Sequence, residues 1–142
     1  MEKQSIRIWM AEDNDADVFL MRQALDDQAF GYNLRVFSTG EEALELVQVA
    51  GSEGQPACPD LLILDLHLPK VDGGELLRRF RGNANCINTP VLILSSLITP
   101  AERELIGGFA PISIQEKPVD LDEYIAIGQR IRSILSLGAG AP

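Results

Sequence analysis

Polar residues able to do chemistry stand where four of the chain's short apolar runs end. Glu12-Asp13 close the run at 6–10, Asp65 the run at 61–64, Ser95-Ser96 the run at 91–94, and Glu116-Lys117-Pro118 the run at 112–114. If the four ends meet, Glu12, Asp13 and Asp65 form a cluster of three carboxylates. Such a cluster repels itself, and at least one of its pKa values must rise unless a cation joins it. Hard oxygen ligands with room for water and phosphate suit Mg²⁺. Lys117 adds an ammonium that can reach a phosphoryl oxygen, and Ser95 adds a hydroxyl donor. A carboxylate nucleophile at Asp65, surrounded by metal, ammonium and hydroxyl, is equipment for phosphoryl transfer, where catalysis is mainly positioning and charge stabilisation. Each fragment alone has an ordinary reading: an acidic pair as a helix cap, Ser-Ser as a loop with capping hydroxyls, Lys-Pro as solvent-exposed. Their joint occurrence in this order carries the argument.

The elements that must position these groups are five strands alternating with five helices. The strands are expected at 6–10, 34–37, 61–64, 91–94 and 112–114. The runs LLIL and VLIL are continuously apolar, as in strands of a parallel sheet covered on both faces. Helical spacing covers 17–28. Thr39-Gly40-Glu41-Glu42 reads as a capping box before Ala43, Leu44, Val47 and Ala50. A short helix is expected at 75–80. Thr99-Pro100-Ala101-Glu102 opens the fourth helix with an N-cap, a first-turn proline and a glutamate. The last helix starts at Asp120 and should run to about Leu137. The order is βα five times, so right-handed crossovers place helices on both faces of one doubly wound parallel sheet. In such sheets, sites form at the carboxyl ends of the strands.

Composition narrows the functions further. The chain has 142 residues, 46% of them hydrophobic, and a formal net charge of −9, which suits one acidic domain and makes nucleic acid and anionic membranes poor partners. No apolar run reaches the roughly 20 residues of a membrane helix. The segment 1–7 has no apolar core of a signal peptide, so a cytoplasmic location is expected. The two cysteines, Cys58 and Cys86, follow no zinc or redox spacing. Both precede expected strands, so a bridge is conceivable, but two free thiols are the expectation in a reducing cytosol. Residues 51–59 read as a flexible loop and 138–142 as a loose tail. The chain is taken as a single domain over 1–142, with its core at 6–137.

The chain resembles the CheY-like receiver domains of bacterial response regulators. The resemblance is carried by Met10-Ala11-Glu12-Asp13-Asn14, by Leu62 to Gly73 (LILDLHLPKVDG), by Val91-Leu92-Ile93-Leu94-Ser95-Ser96, and by Glu116-Lys117-Pro118. The intervals of 30 residues from Asp65 to Ser95 and 22 from Ser95 to Lys117 fit it. It implies a flavodoxin-like five-stranded sheet of order 2-1-3-4-5. It implies Asp65 as phosphoacceptor, Asp13 as direct Mg²⁺ ligand with Glu12 assisting, and the backbone carbonyl of His67 as a further ligand. Lys117 would hold the phosphoryl group, and Ser95 would move toward it. Pro118 would follow Lys117 through a peptide bond that is often cis in the family. The phosphoryl donor would be a sensor histidine kinase, in a two-component phosphorelay. The domain would also assist its own phosphoryl transfer and autodephosphorylation. The closest subgroup is the small stand-alone regulators associated with phytochrome-type sensors, suggested by Asp13-Asn14-Asp15-Ala16-Asp17 and by Lys117 to Tyr124 (KPVDLDEY). Ile114 departs from the pattern, because many receivers carry there an aromatic ring that rotates on activation.

Two other classes use some of the same residues. An Asp-nucleophile phosphohydrolase needs an acid/base carboxylate two residues after Asp65, and that residue is His67. A receiver-shaped interaction module independent of phosphate usually lacks one of the key groups, and all are present. His67 reads as a partly exposed loop residue and Trp9 as core. With five residues after Leu137, output is expected through the domain's own surface, onto a downstream protein partner. In the last helix Leu121, Tyr124, Ile125, Gly128, Ile131 and Leu135 should pack on the sheet. Beside them, Ile127, Ile134 and Leu137 are either a wide core stripe or a contact surface, as in a two-fold homodimer.

Overall fold

The structure, a computed structural model, describes residues 5–136. Five strands, β1 (Ile6–Ala11), β2 (Tyr32–Phe37), β3 (Leu61–Leu64), β4 (Val91–Ser95) and β5 (Ile112–Glu116), alternate with five helices. The helices are α1 (Asp15–Asp27), α2 (Gly40–Val49), α3 (Gly73–Arg81), α4 (Pro100–Ile106) and α5 (Leu121–Ile134). The sheet is parallel throughout, in the order β2-β1-β3-β4-β5. In register, Ala11 pairs with Leu64 and Ser95 with Glu116, which aligns the carboxyl ends.

The two faces of the sheet explain the continuous apolar runs. Ile8, Met10, Leu61, Ile63, Leu92 and Leu94 face α1 and α5, whereas Trp9, Ala11, Leu62, Leu64, Val91 and Ile93 join the core beneath α2, α3 and α4. With side chains alternating along each strand, a sheet covered on both sides has no polar face. Trp9 is core, set edge-on to Phe37 with ring centroids 5.8 Å apart.

Several expectations need correction. Cys58 and Cys86 form a disulfide with a Cα–Cα distance of 5.6 Å, within the normal range. Pairing of β3 with β4 brings the segment before β3 beside a single 3-10 turn, Ala84–Cys86, just before β4. The loop at 51–59 is also tied to β1: the Arg7 guanidinium donates to the carbonyls of Ala57 (2.8 Å) and Cys58 (2.9 Å). Of the two capping boxes, that of α4 is complete. At α2 Thr39 accepts from the Glu42 N–H, but the Glu42 carboxylate meets the Thr39 hydroxyl instead of its N–H. Among the described residues the cis peptide bond falls at Ala110–Pro111, not at Lys117–Pro118.

The last helix ends at Ile134, short of the expected 137. Ile127 is buried in the core with Tyr124 and Ile131, whereas Leu121 is exposed. The cause is the close approach of α1: a Cβ on Gly128 would lie 2.5 Å from the Ala24 carbonyl oxygen. With the helices this close, the flank of α5 is covered as well as its centre. Ile127 therefore belongs to the core stripe. Ile134 is half-buried against the same core, and Leu137 and the tail at 138–142 lie outside the described residues.

Candidate functional site

Parallel pairing continues one residue past the strand ends and so fixes the polar residues that follow. The Glu12 N–H donates to the Phe37 carbonyl (3.0 Å), Asp65 N–H to Ala11 (3.1 Å) and Lys117 N–H to Ser95 (2.9 Å). Gly73 lets α3 start directly behind Asp65, because a Cβ there would lie 2.7 Å from the Asp65 carbonyl oxygen.

Glu12, Asp13 and Asp65 each place a carboxylate oxygen within 4.8 Å of the other two. Glu12 and Asp65 are buried, while Asp13 is exposed. Lys117 Nζ lies 2.9 Å from Glu12, 3.0 Å from Asp65 and 3.0 Å from Asp17. Asp65 Oδ1 accepts the Ser95 hydroxyl at 2.8 Å and the His67 N–H at 2.9 Å. Of these, Glu12, Asp13, Asp65, Ser95 and Lys117 are expected from the sequence, and the fold brings all five to one edge. Ser96 is exposed.

The electrostatics follow from burial set against partners. Burial pushes Glu12 up to about 7 despite the Lys117 ammonium, with the Asp65 charge adding to the rise. Burial also pushes Asp65 upward. The bonds from the His67 N–H, Lys117 and Ser95 outweigh it and hold Asp65 below the usual carboxylate range. Asp65 is thus an ionised, buried carboxylate. Burial would lower Lys117, but its bonds to Glu12, Asp17 and Asp65 raise it, so the ammonium is firmly held. Three carboxylates, Glu12, Asp17 and Asp65, share this one ammonium. The hard oxygen set of Glu12, Asp13 and Asp65 therefore fits a divalent cation such as Mg²⁺.

Two contributions were not read from the sequence. Asp17 bonds Lys117 and accepts the hydroxyl of buried Tyr124 at 2.7 Å. The His67 ring lies between Ser95 (Nδ1, 3.2 Å) and Glu102 on α4 (Nε2, 3.1 Å). Nothing in the local sequence marks that pairing across 35 residues.

A five-stranded parallel sheet of this order, with an acidic pocket, a hydroxyl and a lysine at its carboxyl edge, defines a phosphoacceptor switch module. The family model for the response regulator receiver domain matches residues 8–126, and the chain belongs to that family. It is therefore a receiver domain of the two-component response regulators, a signalling module. Response regulator Rcp1 of Synechocystis sp. is 32% identical over 89 residues, which are 63% of this chain and 60% of Rcp1. Transcriptional regulatory protein TrcR of Mycobacterium tuberculosis is 32% identical over 92% of this chain, and the match spans 45% of TrcR. Among solved structures, the phosphorylated cyanobacterial phytochrome response regulator RcpA superposes with a TM-score of 0.82 at 26% identity, covering 97% of this chain and 98% of RcpA. The Mn²⁺-bound form of Rcp1 does so with 0.80 at 26%, covering 96% and 99%.

Proposed function

We propose that Asp65 is the residue phosphorylated, by attack of its carboxylate oxygen on the phosphorus of a phosphohistidine in a sensor histidine kinase. The new bond is O–P, and the bond broken is the P–N bond to the histidine. The observation that carries this reading is the surroundings of Asp65: a buried carboxylate bonded at once by Lys117 Nζ (3.0 Å) and the Ser95 hydroxyl (2.8 Å). Its ionised state leaves a lone pair free for attack. Lys117 then holds a phosphoryl oxygen, and Ser95 turns its hydroxyl from Asp65 to the phosphoryl group.

Glu12, Asp13, Asp65 and the backbone carbonyl of His67 hold Mg²⁺, which when bound neutralises charge on the phosphoryl oxygens. The same groups assist autodephosphorylation. The whole of 1–142 acts as one receiver domain. Its place is the cytoplasm, where it meets its kinase and a downstream protein partner. A phytochrome-type sensor is supported by the likeness to RcpA. With Ile127 in the core, output is assigned to a change near α4 instead of a dimer through α5.

The test is incubation with Mg²⁺ and a small phosphodonor, read by intact mass. Wild type should gain one phosphoryl group and Asp65→Asn none. Robust labelling of the Asn variant would overturn the assignment.

A further inference from the structure

We propose that His67 and Glu102 form a hydrogen-bonded coupler that ties the state of the Asp65 carboxylate to the first turn of α4. The proposal rests on the reading of Asp65 above and names the route by which the site acts on its surroundings.

The chain of bonds is continuous. The Ser95 hydroxyl donates to Asp65 Oδ1 at 2.8 Å. Its oxygen also lies 3.2 Å from Nδ1 of His67. The other ring nitrogen, Nε2, faces Glu102 Oε2 at 3.1 Å and donates to it. The second oxygen of Glu102, Oε1, accepts the Thr99 N–H at 2.9 Å, and the Glu102 N–H donates to the Thr99 hydroxyl at 3.1 Å. Glu102 thus has two duties on two oxygens: one closes the capping box of α4, and the other anchors the imidazole.

α4 is suited to respond. It has seven residues, of which only Ile106 is buried, so little packing holds it and a change at its cap is felt. The half-buried aliphatic Ile114 offers no ring to rotate. When Ser95 turns to a phosphoryl oxygen, its oxygen leaves Nδ1 of His67. The ring then has one anchor instead of two, and the Glu102 carboxylate loses a fixed partner. The first turn of α4 then loosens, in a helix whose last turn carries exposed Leu105.

Glu102→Gln separates the two duties. Glutamine still serves a capping box, but its one acceptor oxygen cannot do both tasks as two carboxylate oxygens do. Thr99→Ala is the converse, weakening the cap and leaving the ring bond. His67 is the only histidine, so its ring ¹⁵N resonances are read without assignment ambiguity. Without any phosphate mimic, Glu102→Gln should shift the Nε2 resonance and speed amide exchange in residues 102–106 by roughly fivefold, the factor expected for one hydrogen bond.

In wild type, Mg²⁺ with beryllofluoride should shift Nδ1 and produce the same acceleration. In Glu102→Gln it should add less than about a twofold change, while Thr99→Ala, with a faster baseline, still responds several-fold. Ring resonances identical in wild type and Glu102→Gln, or an undiminished α4 response in that variant, would overturn the coupler. Failure of wild type to take a phosphoryl group would overturn the acceptor reading instead, and it leaves the mimic-free ring comparison intact.

Discussion

Lys117→Met tests the electrostatic account of the site most sharply. The lysine side chain is 10% exposed, against 1% for Glu12 and 7% for Asp65, and it bonds both. Methionine keeps most of the volume and removes the ammonium that bonds Glu12, Asp17 and Asp65. Removing one partner of a buried pair costs about 3–5 kcal/mol, because the other charge is left uncompensated. Glu12 limits the loss. Already pushed up to about 7, it rises further without the ammonium and takes a proton. The expected loss in chelator is therefore about 3 kcal/mol at pH 8 and clearly smaller at pH 5, where Glu12 is neutral in both proteins. Urea unfolding at the two pH values measures it. Mg²⁺ should restore more stability to the variant than to wild type, since the metal takes over the missing charge. A loss under about 1 kcal/mol at pH 8, or equal losses at both pH values, would refute the reasoning.

Three further outcomes are expected. Mg²⁺ should raise the melting temperature of wild type by a few degrees, as a ligand selective for the native state does, and Asp13→Asn should abolish the shift; an unchanged shift would place the metal elsewhere. In metal-free wild type, Glu12 adds stability that is fully present below its ordinary pKa of 4.5 and is lost as pH rises through about 7. The decline is on the order of 3 kcal/mol at most. Asp65, held low, contributes the opposite trend only under acid, so Glu12→Gln should flatten stability between pH 5 and 8, and a persisting slope there would contradict the assignment. Reduction of Cys58–Cys86, which closes a loop across 28 positions, should cost about 3–4 kcal/mol on the chain-entropy account. Denaturant midpoints with and without dithiothreitol measure it.

The strands buried on both faces were legible because LLIL and VLIL leave no polar face to expose. β2 was read two residues short, because Tyr32 to Phe37 (YNLRVF) is an edge strand whose Asn33 and Arg35 point to solvent. Glu12, Asp13, Asp65, Ser95 and Lys117 were found from local context, each interrupting or ending an apolar run at the same edge. Asp17, Glu102 and the disulfide were not, for one physical reason. Each acts through a partner that only the tertiary fold supplies: Tyr124 across the α1–α5 contact, His67 across the gap to α4, Cys86 across paired strands. Ile127 was ambiguous because the width of a core stripe depends on how closely a neighbouring helix approaches, and here Gly128 sets that distance.

The central claim is that Asp65 carries the phosphoryl group. An acyl phosphate, unlike a phosphoserine, is reduced by borohydride, which converts the aspartyl group to homoserine. Wild type treated with Mg²⁺ and a small phosphodonor, reduced and digested, should yield homoserine at position 65 and unmodified aspartate at position 13. Homoserine elsewhere with aspartate intact at 65, or a label stable to borohydride, would contradict the account.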